Sequence, residues 1–112
     1  MMKIYYKIAI AILSIFAVGH MAYTFYEYTA LTENALWFFS ASLAMLFNVI
    51  LNALIWLTKN HYAIWGAIAS NLLMLLFSIV LSIVIREPQA VVLALVYLLV
   101  VILSMMSAVE YL

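Results

Sequence analysis

Four stretches without a single Asp, Glu, Lys or Arg constrain this chain more than any other feature. They hold 19 residues between Lys7 and Glu27, 25 between Glu33 and Lys59, 26 between Lys59 and Arg86, and 22 between Glu87 and Glu110. A bilayer core is about 30 Å thick, and a helix rising about 1.5 Å per residue needs roughly 20 residues to cross it. Each stretch meets that length. Only short charged punctuation separates them. The sequence therefore predicts one integral membrane domain over residues 1–112, with spans at 6–27, 34–58, 62–85 and 89–110.

Composition points the same way. The chain is 72% hydrophobic and 7% charged, whereas soluble domains carry about 25% charged residues. A chain this short leaves much of its surface exposed, and here that surface has too few polar groups for water. Net charge is zero, which offers nothing to nucleic acid. Cysteine is absent, so disulfides, thiol redox chemistry, thiolate metal sites and cysteine nucleophiles are excluded. The first stretch has some marks of a signal peptide: Lys3 and Lys7, then an apolar run, then Ala17-Val18-Gly19 as a small-residue site. Its apolar character continues through Met21-Ala22-Tyr23-Thr24-Phe25-Tyr26, so it is read as a retained span.

Short connections make sequential spans antiparallel, giving an all-α, four-helix transmembrane bundle with up-down-up-down order. Thr32, Glu33 or Asn34 can cap the second span. Asn60 marks a turn, and Pro88 sits where a first helical turn tolerates it. Lys3, Lys7 and Lys59 fall on one side and Arg86 alone on the other, which predicts both termini in the cytoplasm. The expected setting is a bacterial cytoplasmic membrane. Tyr5, Tyr6, Trp56, Tyr62, Trp65 and Tyr111 are expected to ring the inner interface, and Tyr23, Tyr26, Tyr28 and Trp37 the outer one. Only Tyr97 among the Tyr and Trp residues falls deep in a span.

Polar groups inside lipid need partners from protein or trapped water, so they mark the bundle interior. Steps of three and four residues put Leu13, Phe16, Ala17, His20, Thr24 and Glu27 on one face of the first span. The same steps group Trp37, Ala41, Met45, Asn48 and Asn52 on the second, and Ala67, Asn71, Met74, Ser78 and Ser82 on the third. On the fourth they group Tyr97, Val101, Ser104, Ser107 and Ala108. Depth sorts these into two layers. His20, Ser40, Ser42, Ser78, Ser82 and Tyr97 lie toward the outer half; Asn48, Asn52, Asn71, Ser104, Ser107 and Ser14 lie toward the inner half.

His20 has two readings. It is a proton-sensitive, substrate-contacting or ligating group, or it is a helix-to-helix hydrogen bond to Tyr97 or Ser78. Haem is disfavoured because His61, the other histidine, belongs to a loop. Zinc is disfavoured because no cysteine or deep carboxylate accompanies His20. No cofactor is expected. Asn48 and Asn52, four residues apart and near Asn71, either line a hydrated path or form a self-satisfied amide cluster. Gly66/Ser70, Ala63/Ala67, Ser40/Ala44 and Ser104/Ala108 have the spacing of close helix contacts. Glu27, Glu33 and Glu87 form either a solvated rim or an acidic vestibule that concentrates cations. The methionines read as packing.

There is no Asp, and no nucleotide-binding or zinc-protease motif, so an enzyme is not expected. The leading expectation is a homo-oligomeric channel or transporter for a small solute or ion. Its polar path would use His20, Tyr97, Ser78, Asn48, Asn52, Asn71 and Ser104. The alternative is a non-catalytic accessory or assembly subunit that docks another membrane protein. The expected partners are the lipid bilayer and a second copy or another membrane protein.

Overall fold

A computed structural model describes residues 2–111, with side chains for residues 3–110; the side chain of Tyr111 lies outside the described residues. Four helices make up the fold: α1 (Met2–Glu27), α2 (Glu33–Thr58), α3 (His61–Ile85) and α4 (Pro88–Tyr111). Each is long and apolar enough to cross a membrane. The bundle measures 47 × 25 × 21 Å. Its long axis matches a bilayer with its headgroup regions, about 40–45 Å.

The helices begin and end for local reasons. The Thr32 hydroxyl accepts from the Ala35 amide at 3.2 Å, capping α2. The Asn60 side chain accepts from the Tyr62 amide at 2.8 Å, capping α3. These bonds satisfy donors that a helix leaves open at its start. Pro88 opens α4, where its missing N–H costs no helical bond. The C-terminal caps are less conventional. Lys59 (φ 53°) and Arg86 (φ 59°) both adopt the left-handed conformation that usually selects glycine. Their amides donate to Ile55 and Ser82, which closes the last turns of α2 and α3.

These two caps make the connections at 59–60 and 86–87 only two residues long, against five at 28–32. Successive helices therefore run antiparallel. α1 packs on α2 and α4, and α3 packs on α2 and α4. One end of the bundle carries both termini and the Lys59 turn; we call it the terminal end. The other carries the 28–32 and Arg86 connections; we call it the paired-turn end.

The core is concentrated toward the terminal half. Tyr6, Ala9, Ile10 and Leu13 of α1 meet Ile55 of α2, Ile64, Ala67 and Ile68 of α3, and Val100 and Leu103 of α4. Beyond Leu13, only Ala17 and Thr24 of α1 are fully buried. Lys3 and Glu110 approach to 3.8 Å at the terminal end, a half-exposed pair worth about 0–1 kcal/mol. The perimeter is largely apolar: Ile15, Phe25, Leu73 and Val84 are each at least two-thirds exposed. In water that surface would aggregate; in lipid it is the solvated surface.

Removing a cap should be measurable. Asn60→Ala is expected to lower stability by about 1 kcal/mol, read as a lower thermal midpoint by circular dichroism in mild detergent. Arg86→Gly, which relieves a left-handed non-glycine residue, is expected to raise that midpoint.

Candidate functional site

Two structures of opposite character occupy the two halves of the bundle. The first is a closed polar cluster in the terminal half. Asn48 and Asn52 stand one helical turn apart on α2 and face Asn71 on α3. The Asn52 and Asn71 side chains exchange reciprocal amide bonds, both 2.9 Å. Asn48 donates to the Asn71 carbonyl oxygen at 2.8 Å and to the Ser70 hydroxyl at 2.7 Å. Asn52 also donates to the Asn48 backbone carbonyl at 2.7 Å. Asn71 donates to the Ser104 hydroxyl on α4 at 3.1 Å, and Ser104 donates onward to the Val101 carbonyl at 3.0 Å. The Tyr6 hydroxyl of α1 donates to the Asn52 side-chain oxygen.

All four helices thus meet in one network. Asn52, Asn71 and Ser104 have no exposed surface, and Asn48 and Tyr6 almost none. The amide donors of all three asparagines are used within the protein. Such a cluster fixes rotation and register of each helix against its neighbours, because a slip of one residue would leave amides unpaired in an apolar medium.

Sequence reasoning found Asn48, Asn52, Asn71 and Ser104 but missed Tyr6 and Ser70. Tyr6 is expected at the interface, yet it is buried and bonded. A signal was present: stepping back from Leu13 through Ile10 and Ala9 reaches Tyr6 on the same face. Its ring also stacks edge-on against Trp56 at 5.5 Å, while Lys7 lies over Trp56 at 5.8 Å. Trp56 is itself partly buried against the same core.

The second structure is a half-open cavity of about 680 Å³ in the paired-turn half. Its floor is Met45 and Met74, directly above the asparagine cluster, and none of the three asparagines lines it. Its walls are largely apolar: Ile15 and Phe16 from α1, Ala41 from α2, Phe77 and Leu81 from α3, and Leu93 from α4. Polar groups gather toward the mouth, where His20, Tyr23, Glu27, Glu87 and Gln89 lie.

His20 is half-buried in this wall. Its Nε2–H donates to the Phe38 carbonyl oxygen at 2.8 Å, and its ring stacks on the Phe38 ring at 4.0 Å. A carbonyl oxygen can only accept, so this bond requires the hydrogen to sit on Nε2. The expected partners, Tyr97 and Ser78, are engaged elsewhere or not at all. Ser78 donates to Met74 of its own helix at 2.7 Å. The Tyr97 hydroxyl is completely buried and has no hydrogen-bond partner among the described residues. Ser42 turns back on the Phe39 carbonyl, and Ser40 is exposed. The outer polar layer is therefore not a connected path: His20 faces the cavity, while Ser42 and Ser78 satisfy themselves locally.

Phe38 was not singled out by sequence reasoning. It touches His20, Tyr23 (6.0 Å) and Tyr28 (5.5 Å), and so joins the ends of α1 and α2 through rings. No family model matches the chain, and neither a curated protein nor a solved structure shows significant similarity to it.

The two tyrosines make opposite predictions. Asn71→Leu strips partners from Asn48, Asn52 and Ser104 and is expected to cost about 3 kcal/mol. Tyr6→Phe removes one bond to Asn52 and is expected to cost about 1 kcal/mol. Tyr97→Phe removes an unpaired buried hydroxyl and is expected to raise stability by about 1 kcal/mol. Thermal unfolding of the three variants in one detergent checks the order; a Tyr97→Phe variant less stable than the parent would mean that the hydroxyl has a partner.

Proposed function

We propose that the protein holds a lipid-soluble small molecule in the cavity between its α1–α2 and α3–α4 hairpins and exchanges it with the bilayer, as a carrier does. The cavity itself carries this reading. Its volume of about 680 Å³ lies within the range of about 300–1,000 Å³ usual for small-molecule sites. Its walls are mostly apolar, with a few polar groups gathered at one end, which is the usual chemistry of such sites. Its position beside exposed Ile15, Phe77 and Ile85 suits a ligand arriving from the acyl region. With both termini cytoplasmic, as the basic residues predict, the mouth faces the outer side.

This reading narrows the transporter expected from sequence. The closed asparagine cluster argues against a water-filled path through the bundle, since its amide donors are already committed to protein acceptors. It also relaxes the need for an oligomer, because residues from all four helices of one chain line the cavity. The same closed cluster favours a second reading, an accessory subunit in which polar groups only fix the helices. That reading requires no bound molecule.

The test uses Gly19, which lines the cavity and where an added Cβ meets nothing within 4 Å. Gly19→Phe is expected to fill the space and leave the bundle at least as stable, since glycine within a helix costs about 1 kcal/mol against alanine. Small molecules retained through purification in mild detergent are then identified by mass spectrometry. A compound kept by the parent and lost from Gly19→Phe supports the carrier. Identical contents in both proteins, or none in either, removes the carrier and leaves the subunit reading.

A further inference from the structure

Resting on the cavity reading above, we propose that the ligand is an amphiphilic cation: an alkyl or aryl body carrying an ammonium-type head. The mouth of the cavity assigns the charge. Glu27 and Glu87 both line it, although 60 positions separate them in the chain. No Lys or Arg lines the cavity. Lys3, Lys7 and Lys59 stand at the opposite end of the bundle. Arg86, next to Glu87 in sequence, is exposed, and its Nε–H donates to the Ile83 carbonyl at 3.4 Å. Glu33, the third acidic residue of this end, does not line the cavity; it accepts from the Trp37 indole at 3.4 Å.

The two carboxylates are held rather than neutralised. Tyr23 donates its hydroxyl to Glu27 at 3.2 Å, and the Gln89 amide donates to Glu87 at 2.8 Å. A carboxylate has roughly four acceptor positions, so one bond to each leaves capacity for a cationic head. Aromatic rings complete the mouth: Tyr23, Tyr28 and Phe38 line it beside the carboxylates. Ring faces attract a desolvated cation, and quaternary ammonium groups are recognised this way. An anionic head would meet two like charges and no Lys or Arg in the lining.

The dimensions suit such a molecule. Ile15 and Glu27 mark the deep and outer limits of the cavity along α1, twelve residues or about 18 Å apart at helical rise. A chain of about ten carbons with a compact head fits that length. Its tail would lie against Ile15, Phe16, Met45, Met74 and Leu93, with its charge level with Glu27 and Glu87.

Three probes with the same ten-carbon body separate charge from shape: decyltrimethylammonium, 1-decanol and decanoate. Each is titrated into the full-length protein in lipid nanodiscs, with methionine methyls labelled with carbon-13. Met45 and Met74 report the cavity. Met105 and Met106, exposed on the other half of α4, report nonspecific partitioning. Decyltrimethylammonium is expected to shift Met45 and Met74 saturably and to bind at least about tenfold more tightly than decanol. The Glu27→Gln/Glu87→Gln variant, altered only at exposed positions, is expected to lose that margin while binding decanol as before. If decanol or decanoate binds within about twofold of the cation, or the variant keeps the margin, the cationic ligand is overturned and the cavity reading survives. If no probe moves Met45 or Met74, the cavity reading itself falls and takes this inference with it.

Discussion

In hydrocarbon an unpaired amide has nowhere to turn, and the rest of this structure depends on that fact. Asn48, Asn52 and Asn71 are costly to bury singly but not collectively, because each supplies what the others lack. Tyr6 of α1, Ser104 of α4 and Ser70, beside Asn71 on α3, complete the set. Apolar packing alone would hold the helices weakly in lipid, where side chains gain little by leaving one oily medium for another. The amide cluster adds direction: it specifies which face of each helix looks inward and at what height.

That specification is spent in one half of the molecule. Below Met45 and Met74 the bundle is dense, with large side chains such as Tyr6, Leu13, Ile55 and Ile64 fully enclosed. Above them no side-chain hydrogen bond among the described residues joins the two hairpins; His20 reaches only from α1 to the Phe38 carbonyl of α2. Ser42 and Ser78 bond their own helices, and α1 leans on α2 through the rings around Phe38. The cavity is what remains when the two hairpins are tied together at one level and not at another. A stable closed half and an open half are thus two results of one distribution of polar residues.

Much of the architecture was legible before any coordinates, because bilayer thickness acts directly on helix length. The second to fourth helices start and end within one residue of the spans expected at 34–58, 62–85 and 89–110, whereas α1 begins at Met2, four residues before the expected start. Thr32, one of three candidates, caps α2, and Pro88 opens α4. The grouping of Asn48, Asn52, Asn71 and Ser104 was legible too, since helical spacing and depth bring those positions together. Tyr6 was harder to see, because an aromatic ring near a span end has an equally good position at the interface. The partner of His20 was illegible for another reason: it is a backbone carbonyl, which every residue carries, so Phe38 left no distinctive mark. The cavity was hidden for the same kind of reason. It is defined by where Phe16, Met45 and Met74 fail to fill space, and apolar spacing does not distinguish a filled wall from an open one. Lys59 and Arg86 as left-handed caps likewise run against the usual preference for glycine.

The lengths of the connections carry one more consequence. The only covalent link between the α1–α2 and α3–α4 hairpins is the two-residue turn at 59–60, and it lies at the same end as the amide cluster. Among the described residues, no hydrogen bond or ion pair joins Tyr23, Glu27 or Tyr28 of the first hairpin to Glu87 or Gln89 of the second. The molecule has the plan of tongs, joined at the asparagines and at the Lys59 turn, with α1 and α2 as one jaw and α3 and α4 as the other. With the joint at that end, a small change of angle would separate the jaws most where Glu27 and Glu87 stand and least where Met45 and Met74 meet.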